Sequence, residues 1–166
     1  MNGAHFHLLV NHLPIVGTIF GLLILLSGIV IKNNIVKQTG LATLIFAALS
    51  SGLALLTGDP AGEAVENLPG ITEAMIEHHE SIAYSSLWAL VPMGLLAALA
   101  FYSILKKEKA GNTLALVTLA LAIVSVGMMS WTGLTGGEIR HTEIRKDAVI
   151  AAPADSVNTS EQEDDD

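Results

Sequence analysis

Four long runs of apolar residues divide this sequence, and none of them contains a charged side chain. Each run is close to the ~20 residues that a helix needs to cross the hydrocarbon core of a bilayer. In lipid, a helix is the open-chain structure that satisfies its own backbone hydrogen bonds. The sequence therefore predicts an all-α fold, a four-helix transmembrane bundle in contact with the lipid bilayer, whose spans cover residues 13–31, 39–56, 82–105 and 113–131.

The rest of the composition limits the domain organisation and the chemistry. Of the 166 residues, 51% are hydrophobic and only 14% are charged, whereas soluble domains have roughly 25% charged residues. We expect one transmembrane domain, residues 1–146, followed by a disordered acidic tail, residues 147–166. Because the chain has no cysteine, disulfides, thiolate metal sites and covalently attached haem are excluded. The net charge of −8 gives no electrostatic basis for binding nucleic acid.

The basic residues predict the orientation in the membrane. Five of the eight Lys and Arg residues lie in the two short loops that join the first span to the second and the third to the fourth. By the positive-inside rule these loops are cytoplasmic. We therefore expect a multi-pass protein of the bacterial inner membrane with both termini on the periplasmic side. The residues before Leu13 contain no Lys or Arg, so we expect the first span to be retained rather than cleaved as a signal peptide.

The second and fourth spans end in similar sequences. Residues 57–63 and 132–138 share the pattern Thr-Gly-x-x-small-Gly-Glu, and histidines precede the first span of each half. This pattern predicts two helical hairpins related by an internal repeat, with a pseudo-axis along the membrane normal. It also predicts that Gly58 and Gly133 are left-handed helix C-caps.

All six histidines fall on the predicted periplasmic side, outside the apolar runs. His12 directly precedes the first run, and an imidazole held at that depth is costly unless it has a partner. His78 and His79 are about 100° apart on a helix, so only one can face the bundle and be the counterpart of His12.

Two imidazoles facing each other across a bundle rich in small residues form the arrangement that binds haem b by bis-histidine ligation. We take His12 and His79 as the favoured axial pair, and His7 and His78 as further cofactor-binding candidates. Arg140, together with the nearby Arg145, is suited to pair with the haem propionates.

A non-haem metal site is an alternative that these residues leave open. Carboxylate and imidazole ligands suit iron, zinc or manganese, and the residues between Glu138 and His141 have the Glu-x-x-His spacing of di-iron bundles. The candidate ligands are His12, His79, His141, Glu63 and Glu138. A histidine cluster with a purely structural role is a further alternative.

The motif His7-Leu8-Leu9-Val10-Asn11-His12-Leu13-Pro14 resembles the opening of a bacterial membrane-protein family catalogued as a domain of unknown function, of the 2231 type. The resemblance extends over residues 5–145 and includes Gly58-Asp59, His79 and a Gly-Gly…His ending at residues 136–141. It departs from the family at Leu8, where members often carry proline, and in the shorter spacing before His141. The resemblance implies four spans and a redox or haem association.

Together these features predict a b-type cytochrome-like electron-transfer subunit that works with a respiratory or redox partner protein. A non-catalytic accessory subunit or a non-haem metal-binding protein is the alternative. The sequence contains no Gly-x-Ser-x-Gly, phosphate-loop or His-Glu-x-x-His motif, so it favours a carrier or accessory subunit over a stand-alone enzyme. It leaves open whether the protein forms a homo-oligomer.

Overall fold

A computed structural model describes residues 3–145 of the chain. The predicted acidic tail therefore lies outside the described residues. Within them the fold is all-helical and contains no strand. The α-helices are α1 (Gly3–Val10), α2 (His12–Val30), α3 (Asn34–Leu56), α4 (Gly58–Val65), α5 (Glu73–Leu105) and α6 (Ala110–Arg140), followed by a 3-10 turn at Thr142–Ile144.

Four helical segments are long and apolar enough to cross a membrane, which confirms the predicted fold class. They are α1 with α2 (Gly3–Val30), α3, α5 and α6. Large apolar side chains cover the outside of the bundle, and Trp88 is 86% exposed and Leu56 78% exposed. A surface of this kind is a liability in water but is expected where lipid tails surround the helices.

The two hairpins pack side by side. Helix α2 packs on α3 and α5 on α6, while α3 also contacts α5 and α2 contacts α6. Small residues bring the backbones together, as is common between membrane helices. A Cβ on Gly40 would lie 2.5 Å from the backbone nitrogen of Leu25, and one on Gly28 would lie 2.5 Å from that of Lys37.

The hairpin-turn end of the bundle, residues 31–33 and 106–109, uses one capping motif twice. Lys32 and Lys107 have φ angles of 55° and 60°. After each, a backbone N–H bonds back to the helix: Asn33 to the Gly28 carbonyl at 3.0 Å, and Glu108 to the Ser103 carbonyl at 2.9 Å. These are the bonds of a Schellman motif. Lysine, rather than glycine, therefore occupies the left-handed position in both turns.

The prediction that Gly58 and Gly133 are left-handed caps is wrong. Gly133 lies inside α6 and Gly58 begins α4, and among the described glycines only Gly70 has a positive φ. Near the histidines, α5 and α6 also extend beyond the predicted spans, since α5 begins at Glu73 and α6 continues to Arg140. An apolar run marks the part of a helix that contacts lipid. The helix itself continues wherever its backbone bonds are made.

Candidate functional site

A cavity of about 530 Å³ lies at the end of the bundle opposite the hairpin turns, which we call the histidine end. Its wall is mostly apolar and comes from α1, α2, α4, α5 and the ends of α3 and α6. The volume is within the ~300–1,000 Å³ of typical small-molecule sites. Five of the six histidines line it: His5, His7, His12, His79 and His141.

The sixth histidine, His78, points elsewhere. Its neighbour His79 is partly buried and lines the cavity. His78 is exposed and is not among the residues of 3–145 that line the cavity. This is the arrangement expected for adjacent residues that lie about 100° apart on a helix. Of the two predicted candidates, the structure therefore brings His79 to the site.

His7 is held by the end of α3. The Nδ1 atom of His7 lies 2.9 Å from the Oγ1 atom of Thr57. Thr57 is the C-cap residue of α3, and its hydroxyl is 3.0 Å from the carbonyl oxygens of both Leu53 and Ala54. The side chain of His7 is partly buried.

His79 is held in the same way by α6. Its Nδ1 atom lies 3.0 Å from the Oγ1 atom of Thr135, and the Thr135 hydroxyl is 3.1 Å from the Thr132 carbonyl oxygen. Gly136 leaves space for the ring, because a Cβ there would lie 2.9 Å from Cε1 of His79. The imidazoles of His7 and His79 line the same cavity.

His12 differs from both. It lines the cavity, but its side chain is exposed, and its Nδ1 atom donates to the Leu8 carbonyl of its own helical segment at 3.1 Å. The expectation that His12 is the buried imidazole of this segment does not agree with that exposure. His7 and His12 are five residues apart, about 140° around a helix, and Pro14 takes the buried position near the start of α2.

The predicted metal ligands are not gathered into one site. Among residues 3–145, no group of three or more His, Asp or Glu side chains is placed to hold a metal ion. The wall that the described residues form does not include Glu63 or Glu138. Helix α6 ends at Arg140, and His141 is its C-cap residue with extended backbone angles.

His141 pairs instead with a neighbour. Its Nδ1 atom lies 2.8 Å from Oε1 of Glu143, and both side chains are exposed. The pKa of Glu143 is lowered, first by a hydrogen bond from its own backbone N–H and then by the hydrogen bond from His141. This pair lies on the rim, where solvent screening makes such contacts weak.

The two arginines have different roles. Arg140 is exposed and lines the cavity. Arg145 donates to the carbonyl oxygens of Glu138, Ile139 and Gly70 at 2.7, 2.9 and 2.8 Å. Its guanidinium therefore binds the backbone, which leaves Arg140 as the arginine suited to an anionic ligand group.

Sequence reasoning missed three polar groups of the site. Thr57 and Thr135 contact the histidines, although Thr57 was visible as part of the repeated Thr-Gly pattern. The third is Asn11, which lines the cavity at the junction of α1 and α2. Its buried Oδ1 atom has no hydrogen-bond partner within residues 3–145, so it is an acceptor available to a ligand or a water molecule.

Compared with known proteins, the chain matches no protein-family model, no curated protein and no solved structure at a significant level.

Proposed function

We propose that this chain is a b-type haem-binding membrane protein that carries electrons to or from a redox partner. One observation supports this most directly. Two partly buried imidazoles, His7 from the first half of the chain and His79 from the second, line one mostly apolar cavity.

The number of ligands favours haem over a bare metal ion. Haem iron takes its remaining ligands from the porphyrin, so two axial imidazoles complete its coordination. A non-haem iron or zinc site needs at least three protein ligands, and no such group occurs within residues 3–145. The alternative of a non-haem metal-binding protein consequently has less support than haem.

Other residues of the wall suit the same group. The mostly apolar surface suits a porphyrin ring and would keep the ligand environment dry once the ring fills the cavity. Arg140 lines the cavity and suits a propionate. When bound, haem would supply one-electron redox chemistry, while the chain's residues bind it, orient it and control its access to solvent. The resemblance to the domain of unknown function also implies a haem or redox association.

The proposed location is the inner membrane, with the histidine end on the periplasmic side. The hairpin-turn end carries Lys32, Lys106, Lys107 and Lys109, which supports its placement in the cytoplasm. Reporter fusions at residues 34 and 108 should both behave as cytoplasmic, and a fusion at residue 68 as periplasmic. A periplasm-only reporter that is active at residue 34 would reverse the orientation and move the site to the cytoplasmic side.

Haem quantified per mole of purified protein tests the function. The full chain, produced in a membrane with ample haem supply, should contain about one haem b per chain, with a Soret band that shifts on reduction. Protein that is folded and monodisperse but free of haem would contradict the cytochrome proposal and favour the accessory-subunit alternative.

A further inference from the structure

We infer that Thr57 and Thr135 are positioning residues that keep a proton on Nδ1 of His7 and of His79, so that both rings present an unprotonated Nε2 to the cavity. The assignment makes His7, rather than His12, the partner of His79. It deepens the proposed function, because an unprotonated Nε2 is a metal-ligating atom. The tautomer itself does not depend on haem.

The hydroxyl groups determine the direction of the hydrogen bonds. A threonine hydroxyl has one proton and two lone pairs. Oγ1 of Thr57 lies 3.0 Å from two carbonyl oxygens, and Oγ1 of Thr135 lies 3.1 Å from one. Carbonyl oxygens only accept, so these contacts take the hydroxyl protons. Each Oγ1 then accepts from the nearby imidazole, and Nδ1 is the donor.

The buried positions of the first long helix in each half, α2 and α5, also relate His7 to His79. Five buried residues of α2 have buried counterparts 72 residues later in α5. The same separation relates His7 to His79. At the same separation His12 corresponds to Tyr84, which is exposed and does not have an imidazole. The buried pairs are Pro14 with Ser86, Thr18 with Leu90, Gly21 with Met93, Leu25 with Ala97, and Gly28 with Ala100.

A hydrogen bond at the second ring nitrogen has a known effect on a metal-ligating histidine. It fixes the ring orientation and the tautomer and increases the basicity of the ligating nitrogen, and its loss typically weakens metal affinity by about 10–100-fold. The two threonines would each supply this second contact, one from each half of the chain.

Nitrogen-15 NMR of histidine-labelled full chain in detergent tests the tautomers without haem. At about pH 8.5, well above the ordinary histidine pKa near 6.5, the imidazoles are neutral. His7→Gln and His79→Gln variants assign the two signals. We expect protonated Nδ1 for both rings in the wild type. A proton on Nε2 in both rings would overturn the inference, whether or not the protein binds haem.

Threonine variants test the positioning role. Thr57→Val and Thr135→Val keep the side-chain shape but remove the hydroxyl, so the protonated-Nδ1 signal of the facing histidine should weaken. Thr57→Ser and Thr135→Ser should restore it. Thr39→Val is the matched control, because the Thr39 hydroxyl also bonds to a carbonyl of α3, that of Ile35 at 3.0 Å, but is exposed and remote from the histidine end.

The same variants separate the two proposals. With haem bound, each valine variant should weaken haem affinity about 10–100-fold and shift the midpoint potential, while Thr39→Val changes neither. Haem-free wild type with both Nδ1 atoms protonated would reject the haem function and keep the positioning role. Haem-loaded protein whose tautomers and potential are unchanged by both valine variants would keep the haem function and overturn the positioning role.

Discussion

The two halves of the chain make the same histidine–threonine contact on different backbones. In the first half a single residue breaks the helix at the site, Asn11 between α1 and α2 and Thr57 between α3 and α4, although the backbone of both residues stays in the right-handed helical region. In the second half they run through it, since α5 contains His79 and α6 contains Thr135. The difference shows that the contact does not need one particular backbone path, only an imidazole opposite a threonine on the neighbouring helix.

The two backbones should differ in how easily the site opens. Helix α1 has eight residues and packs mainly on α4, another eight-residue helix. His79, by contrast, lies on a 33-residue helix that packs along α6. Short helices have few internal hydrogen bonds and open locally at lower free-energy cost. We therefore expect the His7 side of the cavity to be the side that opens to admit a ligand.

The largest expected effect comes from removing either imidazole. His7→Ala and His79→Ala should each abolish the low-spin bis-histidine spectrum, because one axial ligand is lost in either case. His78→Ala is the matched control next to His79, and His12→Ala should also retain haem. Absorbance spectra and haem content of the four purified variants measure the result. Full haem in His7→Ala with none in His12→Ala would restore His12 as the ligand.

A smaller effect should distinguish the two halves at equivalent glycines. Gly136 follows Thr135 as Gly58 follows Thr57. A methyl at Gly136 would press on the His79 ring at 2.9 Å, whereas one at Gly58 would meet no atom of residues 3–145 within 4 Å. Gly136→Ala should therefore displace the His79 ring and reduce haem affinity about tenfold, the lower end for disturbing a ligating histidine.

Gly58→Ala and Gly127→Ala serve as controls for this test. Gly127 lies in α6 like Gly136, and a Cβ there would also meet no described atom within 4 Å. Haem titration of the three variants gives the affinities. An equal loss of haem affinity in Gly58→Ala would mean that the glycines act through the backbone rather than through contact with His79.

The smallest effect concerns the hairpin-turn end, where a hydrogen bond joins the two halves. Lys37 is only 7% exposed, and its Nζ donates to Oδ1 of Asn112 at 2.7 Å. A double-mutant cycle with Lys37→Met and Asn112→Ala should give a coupling of about 0.6 kcal/mol, the average for polar contacts between membrane helices. Unfolding in detergent measures it.

The exposed Lys32 provides the control for this cycle, since Lys32→Met combined with Asn112→Ala should be additive. A Lys37–Asn112 coupling indistinguishable from zero would show that the halves are held together by packing alone at this end.

The sequence predicted the four spans well, but it predicted poorly which face of each helix points into the bundle. Both results have one physical reason. Runs without charge identify helices that contact lipid, so four spans were predictable. In a membrane, however, the outward face is as apolar as the core, as with the exposed Leu23 beside the buried Leu25. The sequence gives the ~140° between His7 and His12 but no polarity contrast to show which one faces the bundle.

The site depended on contacts that a sequence pattern does not specify. The repeated motif aligns Thr57 with Thr132, whereas the histidine contacts pair Thr57 with Thr135, nearly one helical turn further along. The gathering of histidines at one end was predictable from their distribution, but the choice of His7 required the packing of α1 against its neighbours. The internal repeat and the family assignment both stay predictions.

Arg145 has a consequence for the cavity as a barrier to water. Its guanidinium joins the last turn of α6 to Gly70 in the connection before α5. The final carbonyls of a helix have no partner within the helix, and a cation there is also favoured by the helix dipole. Because Gly136 and Gly137 of this turn line the cavity, the hydrogen bonds of Arg145 stabilise a part of the cavity wall whose carbonyl groups would otherwise be left for water.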